Sequence, residues 1–281
     1  MNQPHRHHPH TLTWVLATIL AIVTSIAVTT IIHVSGSGDT AAADRRGALP
    51  EARYDAVIPG LIPFTRTLPA GAPVDTHHLR RDTVLYGADR KTPVAVLRKR
   101  NFIDRPTTTI AVRGNQTWTL ILTPARQQLP SSRTPRHPSA PAQTAAWAHT
   151  ADLAPSISVR SRATVHVNTG TLTITDPHGA THEWPAGIGA PNTPTPVGVT
   201  GYLQERYRDP AQGQRIYPIQ LTSLHATAAD EPYRGHDGGL IGIHYATGPL
   251  AVATHGCVRV HTDTITALTA LPVGTPITLE P

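Results

Sequence analysis

The 281-residue chain contains one cysteine, one methionine, two phenylalanines and two lysines. A single cysteine excludes an intrachain disulfide, the commonest structural reason for keeping a cysteine outside the cytoplasm. No Cys/His spacing of zinc-ligand type occurs, so neither a metal nor any other cofactor is expected. Aromatic residues make up 5 % of the chain and charged residues 15 %. The net charge of +6 comes almost wholly from arginine. Without a lysine-rich tail or a basic patch interleaved with aromatics, nucleic acid is not an expected partner. The basicity reads as a solvated surface, compatible with anionic membranes or acidic polymers.

What is abundant is Thr, Ala and Pro, a composition suited to a mainly β protein with many turns. Residues 12–34 carry no charged side chain, and only His33 among them is ionisable. Such a run, roughly 20 residues, is long enough to span a bilayer as a helix. It exceeds the roughly 7–15-residue apolar core of a secretory signal, although Ala41-Ala42-Ala43 offers a cleavage-like site. The expectation is an uncleaved single-pass anchor over 12–34 after a short tail, 1–11. Arginines on both sides (Arg6; Arg45 and Arg46) leave its orientation weakly determined by charge. The early histidines His5, His7, His8 and His10 read as a polar tail. Residues 35–78, rich in Gly, Ala and Pro without periodicity, read as a flexible linker.

From Thr83 short β-type runs begin: Thr83-Val84-Leu85-Tyr86, Val94-Ala95-Val96-Leu97, Thr109-Ile110-Ala111-Val112 and Trp118-Thr119-Leu120-Ile121-Leu122. Arg113-Gly114-Asn115-Gln116 has hairpin-turn chemistry. The Asn115 sequon carries no weight. Four prolines between Pro130 and Pro141 mark an insertion, because proline cannot donate within a central strand. Trp147 then reads as part of the last strand of this module, 79–153. A second domain, 154–281, opens with Ile157-Ser158-Val159, Val165-His166-Val167 and Thr171-Leu172-Thr173-Ile174-Thr175. The turn Asp176-Pro177-His178-Gly179 and a strand over 181–188 follow. Near the end, Asp263 is expected to cap a short helix carrying Ile265 and Leu268, and Pro276-Ile277-Thr278-Leu279 reads as a final strand.

The lone cysteine lies in Thr254-His255-Gly256-Cys257-Val258-Arg259, with His244 thirteen positions upstream. A thiol reacts as its anion, so a cysteine with a nearby histidine suggests a nucleophile and its base; a buried apolar cysteine is the plainer alternative. A second motif, Thr193-Pro194-Thr195-Pro196-Val197-Gly198, stands upstream. Together these two motifs resemble the signature of the YkuD-type L,D-transpeptidase catalytic domain. The loop between His244 and Thr254 is shorter than in many such domains, and Val260 replaces a usual methionine or leucine. The strand-rich module before it loosely resembles an SH3-like barrel, whose role would be contact with cell-wall material or simple packing.

The resemblance implies a β-rich catalytic domain with a short helix, lying outside the cytoplasm on the cell-wall side of the membrane. It implies Cys257 as nucleophile, His244 as base, and backbone donors around His255, Gly256 and Cys257 for the oxyanion. Arg259, Tyr245, Thr254 and His225 are the implied substrate-side residues, Tyr245 acting through its carbonyl on the imidazole; Tyr233 and His236 could line the cleft. The implied partners are peptidoglycan stem peptides, with release of terminal D-alanine and formation of 3→3 cross-links. L,D-carboxypeptidase activity, or a non-catalytic wall-binding protein, are the alternatives. Oligomeric state is not legible.

Overall fold

The computed structural model describes residues 49–135, 139–230, 239–250 and 255–281. The tail and apolar run over 1–34, together with Thr254, Tyr233 and His236, lie outside the described residues. Among the described residues, no helix is long and apolar enough to cross a membrane. Residues from Leu49 to Pro281 form one compact unit, built on two sheets.

The first sheet contains β1 (Ile62–Pro63), β2 (Val74–His78), β3 (Thr83–Tyr86), β4 (Pro93–Leu97), β5 (Thr108–Gly114), β6 (Trp118–Thr123), β7 (Thr144–His149) and β8 (Ile157–Val159). Their order is β4-β3-β7-β6-β5-β2-β8, with β1 beside β7. Side chains alternate across a strand, and β6 and β7 use both faces. Ile121, Ala146 and Ala148 join Leu85 and Leu97 in one core. Leu120, Leu122, Ala145 and Trp147 join Ile110 in another. The β5–β6 hairpin closes as its sequence suggests: Asn115 Oδ1 accepts from the backbone N–H of Thr117 and Trp118 at 2.9 and 2.8 Å.

The second sheet contains β9 (Arg162–His166), β10 (Thr171–Thr175), β11 (Thr181–Pro185), β12 (Val199–Asp209), β13 (Gln214–His225), β14 (Leu240–Tyr245), β15 (Val258–Val260) and β16 (Pro276–Glu280). Its order is β11-β10-β9-β16-β12-β13-β14-β15. Helix α1 (Thr262–Ala270) lies between β15 and β16 in sequence and buries Ile265 and Leu268 in the core formed by Ile241, Ile243, Val258 and Val260. Its N-cap is His261; Asp263 sits in the first turn, where a carboxylate favours the helix dipole without capping it.

Several expectations need correction. The linker expected over 35–78 is folded from residue 49 onward: β1 and β2 lie in it, and Ala52, Ile58, Leu61 and Phe64 are buried. These side chains dock singly on a frame made by later strands, so they leave no periodicity. The boundary expected after residue 153 moves, because β8 pairs with β2 in the first sheet. Trp147 lies on β7, between β3 and β6, and not on the module's last strand. The long β12–β13 hairpin went unrecognised because Gln204, Glu205, Gln214 and Gln220, all buried, interrupt its apolar pattern.

The two sheets share a buried seam. Tyr202 of β12 belongs to the same apolar cluster as Trp147 and Phe64 of the module. Ser223 Oγ donates to Gln143 Oε1 at 2.6 Å, and the N–H of His225 donates to Ala142 O at 2.8 Å. Arg126 is 1 % exposed; its guanidinium donates to Ala226 O at 2.7 Å and also to Asp230 O. Gly239 admits this approach, since a Cβ there would stand 2.5 Å from the guanidinium. Arg126 therefore holds backbone carbonyls between β13 and β14. Replacing Arg126 with Met strands these acceptors away from water, and hydrogen bonds to a charged donor contribute about 1.5–3 kcal/mol each. Urea denaturation of Arg126→Met is expected to show a stability loss of about 3 kcal/mol; a loss under about 0.5 kcal/mol contradicts this role.

Candidate active site

The site follows from the alternation of two short strands. On β14, Ile241 and Ile243 point into the core, so Gly242 and His244 face the other way. On β15, Val258 and Val260 do the same, which turns Arg259 and the preceding Cys257 to the face of His244. The strands run parallel, with Ile243 opposite Val258 and His244 opposite Arg259. This register brings Cys257 beside Gly242. Gly242 N–H donates to Cys257 Sγ at 3.4 Å, and the thiol is within 3.6 Å of Leu240 O as a donor. Cys257 is 5 % exposed. Cys257 and His244 line one cleft of about 190 Å³, floored by Gly242, Leu240, Leu221 and Ile219.

The imidazole of His244 has its pKa lowered, first by burial and then by the Arg259 charge; a hydrogen bond to the Tyr245 backbone opposes both. It is therefore neutral near pH 7 and able to accept a proton. A neutral imidazole in the same cleft as a thiol can take its proton, and the Gly242 N–H favours the thiolate left behind. Tyr245 packs its ring on Tyr217 with centroids 4.7 Å apart, and its carbonyl accepts from Gln214 Nε2 at 3.1 Å.

The loop before the cysteine is braced from below. Gly256 has φ +103°, a conformation open to glycine, and a Cβ there would lie 3.0 Å from Ile241. Thr195 Oγ donates to Gly256 O at 2.9 Å and accepts from Gly189 N–H at 2.9 Å. The Thr-Pro-Thr-Pro segment is thus a strut under the loop that precedes Cys257. Sequence marked it as a motif without a mechanical role; Thr195 is the residue that reasoning missed. Arg259 exchanges both backbone hydrogen bonds with Gly187, at 2.8 and 2.9 Å. His255 is exposed.

His225 does not join this group. It is 1 % exposed, and its Nε2–H donates to Tyr54 O of the first module at 2.9 Å. The expectation placed it at the substrate groove; it is a buried seam residue that does not itself line the cleft, although its partner Tyr54 does. Thr254 lies outside the described residues.

Residues 160–279 match the family model of the YkuD L,D-transpeptidase catalytic domain. The start of the match agrees with the first sheet ending at β8. Similar solved structures include an L,D-transpeptidase from Mycobacterium smegmatis, 15 % identical, covering 61 % of this chain and 94 % of that one with a TM-score of 0.32. L,D-transpeptidase 3 from Mycobacterium tuberculosis, with a faropenem-derived adduct, is 14 % identical over 60 % of this chain and 93 % of its own, TM-score 0.33. Bd1075 of Bdellovibrio bacteriovorus is 24 % identical over 42 % and 47 %, TM-score 0.31. No curated protein matches the chain.

The buried histidine has a consequence for stability. Burial, then the Arg126 charge, push the His225 pKa from 6.5 down to about 3. A depressed folded-state value contributes stability that is complete above the unfolded value and lost as pH falls toward the folded one. Between pH 6.5 and 4 the wild type is expected to lose up to about 1.4 kcal/mol per pH unit from this group. Asp230 and Asp176, also depressed, act below that window. Thermal unfolding of His225→Gln should have a visibly flatter pH slope between 6.5 and 4. An unchanged slope contradicts the assignment.

Proposed function

We propose that the chain is a cysteine-dependent peptidoglycan L,D-transpeptidase that forms 3→3 cross-links. The observation that carries this reading is the meeting of Cys257 and His244 in one cleft of the matched domain. His244 takes the thiol proton, and the thiolate attacks the carbonyl carbon of the third residue of a donor tetrapeptide stem. The backbone N–H of Cys257, with that of Gly256 or His255, holds the oxyanion. The C–N bond breaks, the imidazolium returns its proton to the leaving amine, and D-alanine departs. An acceptor side-chain amine then attacks the thioester, and the C–S bond breaks to restore the thiol. Arg259 raises the positive potential beside His244 and suits the carboxylate end of the donor.

Chemistry on wall polymer requires the domain to lie on the outer side of the membrane, with the apolar run at 12–34 as its anchor. Water in place of the amine gives L,D-carboxypeptidase activity through the same thioester.

Incubation with a carbapenem should raise the intact mass of the wild type by one adduct, and Cys257→Ala should give none. Mass spectrometry of stem products with an acceptor present should find cross-linked dimer along with released D-alanine. A folded wild type that never acylates contradicts the reading and favours a wall-binding role.

A further inference from the structure

Two aromatic residues of the first module reach the catalytic cleft. Tyr54 and Phe102 line it together with Tyr207 of β12. Their rings form an edge-on chain, with centroids 4.9 Å apart for Tyr54 and Phe102 and 5.7 Å apart for Phe102 and Tyr207.

The loop carrying Phe102 is built. Asn101 Oδ1 accepts from the N–H of Ile103 and Arg105 at 3.1 Å each. Asn101 N–H donates to Arg105 O at 2.8 Å, and Arg100 Nη1 donates to Asp104 O at 2.6 Å. The catalytic domain then grips the loop: Glu205, with a side chain 5 % exposed, accepts from Asn101 Nδ2 at 2.7 Å and from Arg105 Nη1 at 3.0 Å. On the other side, His225 takes the carbonyl of Tyr54. Both aromatic residues are therefore fixed by the second sheet.

Register relates them to the nucleophile. Gly242 stands opposite Leu221, and Leu221 opposite Glu205, so a row runs from Cys257 across β14 and β13 to β12 and the Phe102 loop. Three strand spacings make this row about 14 Å long. The three stem residues up to the attacked carbonyl cover about 10 Å of it when extended, and the first residue's far end spans the rest.

We propose that Phe102, with Tyr54 and Tyr207, forms the subsite for the end of the donor stem farthest from the attacked carbonyl. The first module is then part of the substrate site, and Glu205 is a positioning residue acting through the loop. This rests on the transferase reading above. An apolar side chain at the distal end of the stem packs on the rings, while a carbapenem, short and centred on the thiol, does not extend to them.

The test compares acylation of the full chain by a tetrapeptide stem and by a carbapenem, in the wild type and in Phe102→Ala. The ratio of stem to carbapenem kcat/KM should fall about tenfold in Phe102→Ala, mainly through KM, and Phe102→Tyr should restore it. Glu205→Gln should lower the same ratio with kcat nearly kept. Parallel losses for both reagents, or no loss for the stem, overturn the subsite. If the wild type is acylated by neither compound, the transferase reading itself falls and the subsite with it.

Discussion

The parallel pairing of β14 with β15 is the constraint on which the rest depends. It sets Ile241, Ile243, Val258 and Val260 inward, and that same alternation obliges Cys257 and His244 to share the outer face. A slip of one residue would bury the imidazole in the apolar core. The four inward side chains do no chemistry, yet they determine where the chemistry stands. Gly242 between them keeps the surface beside the sulfur low enough for its N–H to reach it.

The thiol donates toward Leu240 O, and burial and the Arg259 charge lower the imidazole pKa of His244. In the proposed mechanism, ionisation exchanges a thiol for a thiolate that gains from the Gly242 N–H and from a newly charged imidazolium. Neither group has to be charged alone in a dry site. The Thr195 strut holds the Gly256 carbonyl in place. The first module closes the arrangement from the other side through Arg126, Glu205 and His225, all charged or ionisable groups buried at the seam.

The stretch around Cys257 stood out because its residue pattern is local. One cysteine, one upstream histidine and a glycine-proline turn leave a compact trace, and short alternating runs marked most strands of the first sheet but none of β12 to β15 in the second. The seam was not legible. Asn101 and Phe102 stand 104 and 103 positions from Glu205 and meet it only through the fold, so no spacing announces the contact. The segment from Ala52 to Phe64 looked like spacer for the same reason: its apolar residues are few and each finds its partners elsewhere. His225 misled in the opposite direction, since a histidine near a catalytic segment suggests chemistry when burial gives it a structural task.

The most direct test of the account is the pH profile of Cys257 alkylation by iodoacetamide in the full chain. Coupling to His244 predicts a reactive thiolate well below the ordinary cysteine value of about 8.5, and a shift back toward that value in His244→Gln. A single titration near 8.5 in both proteins would contradict a thiol–imidazole pair.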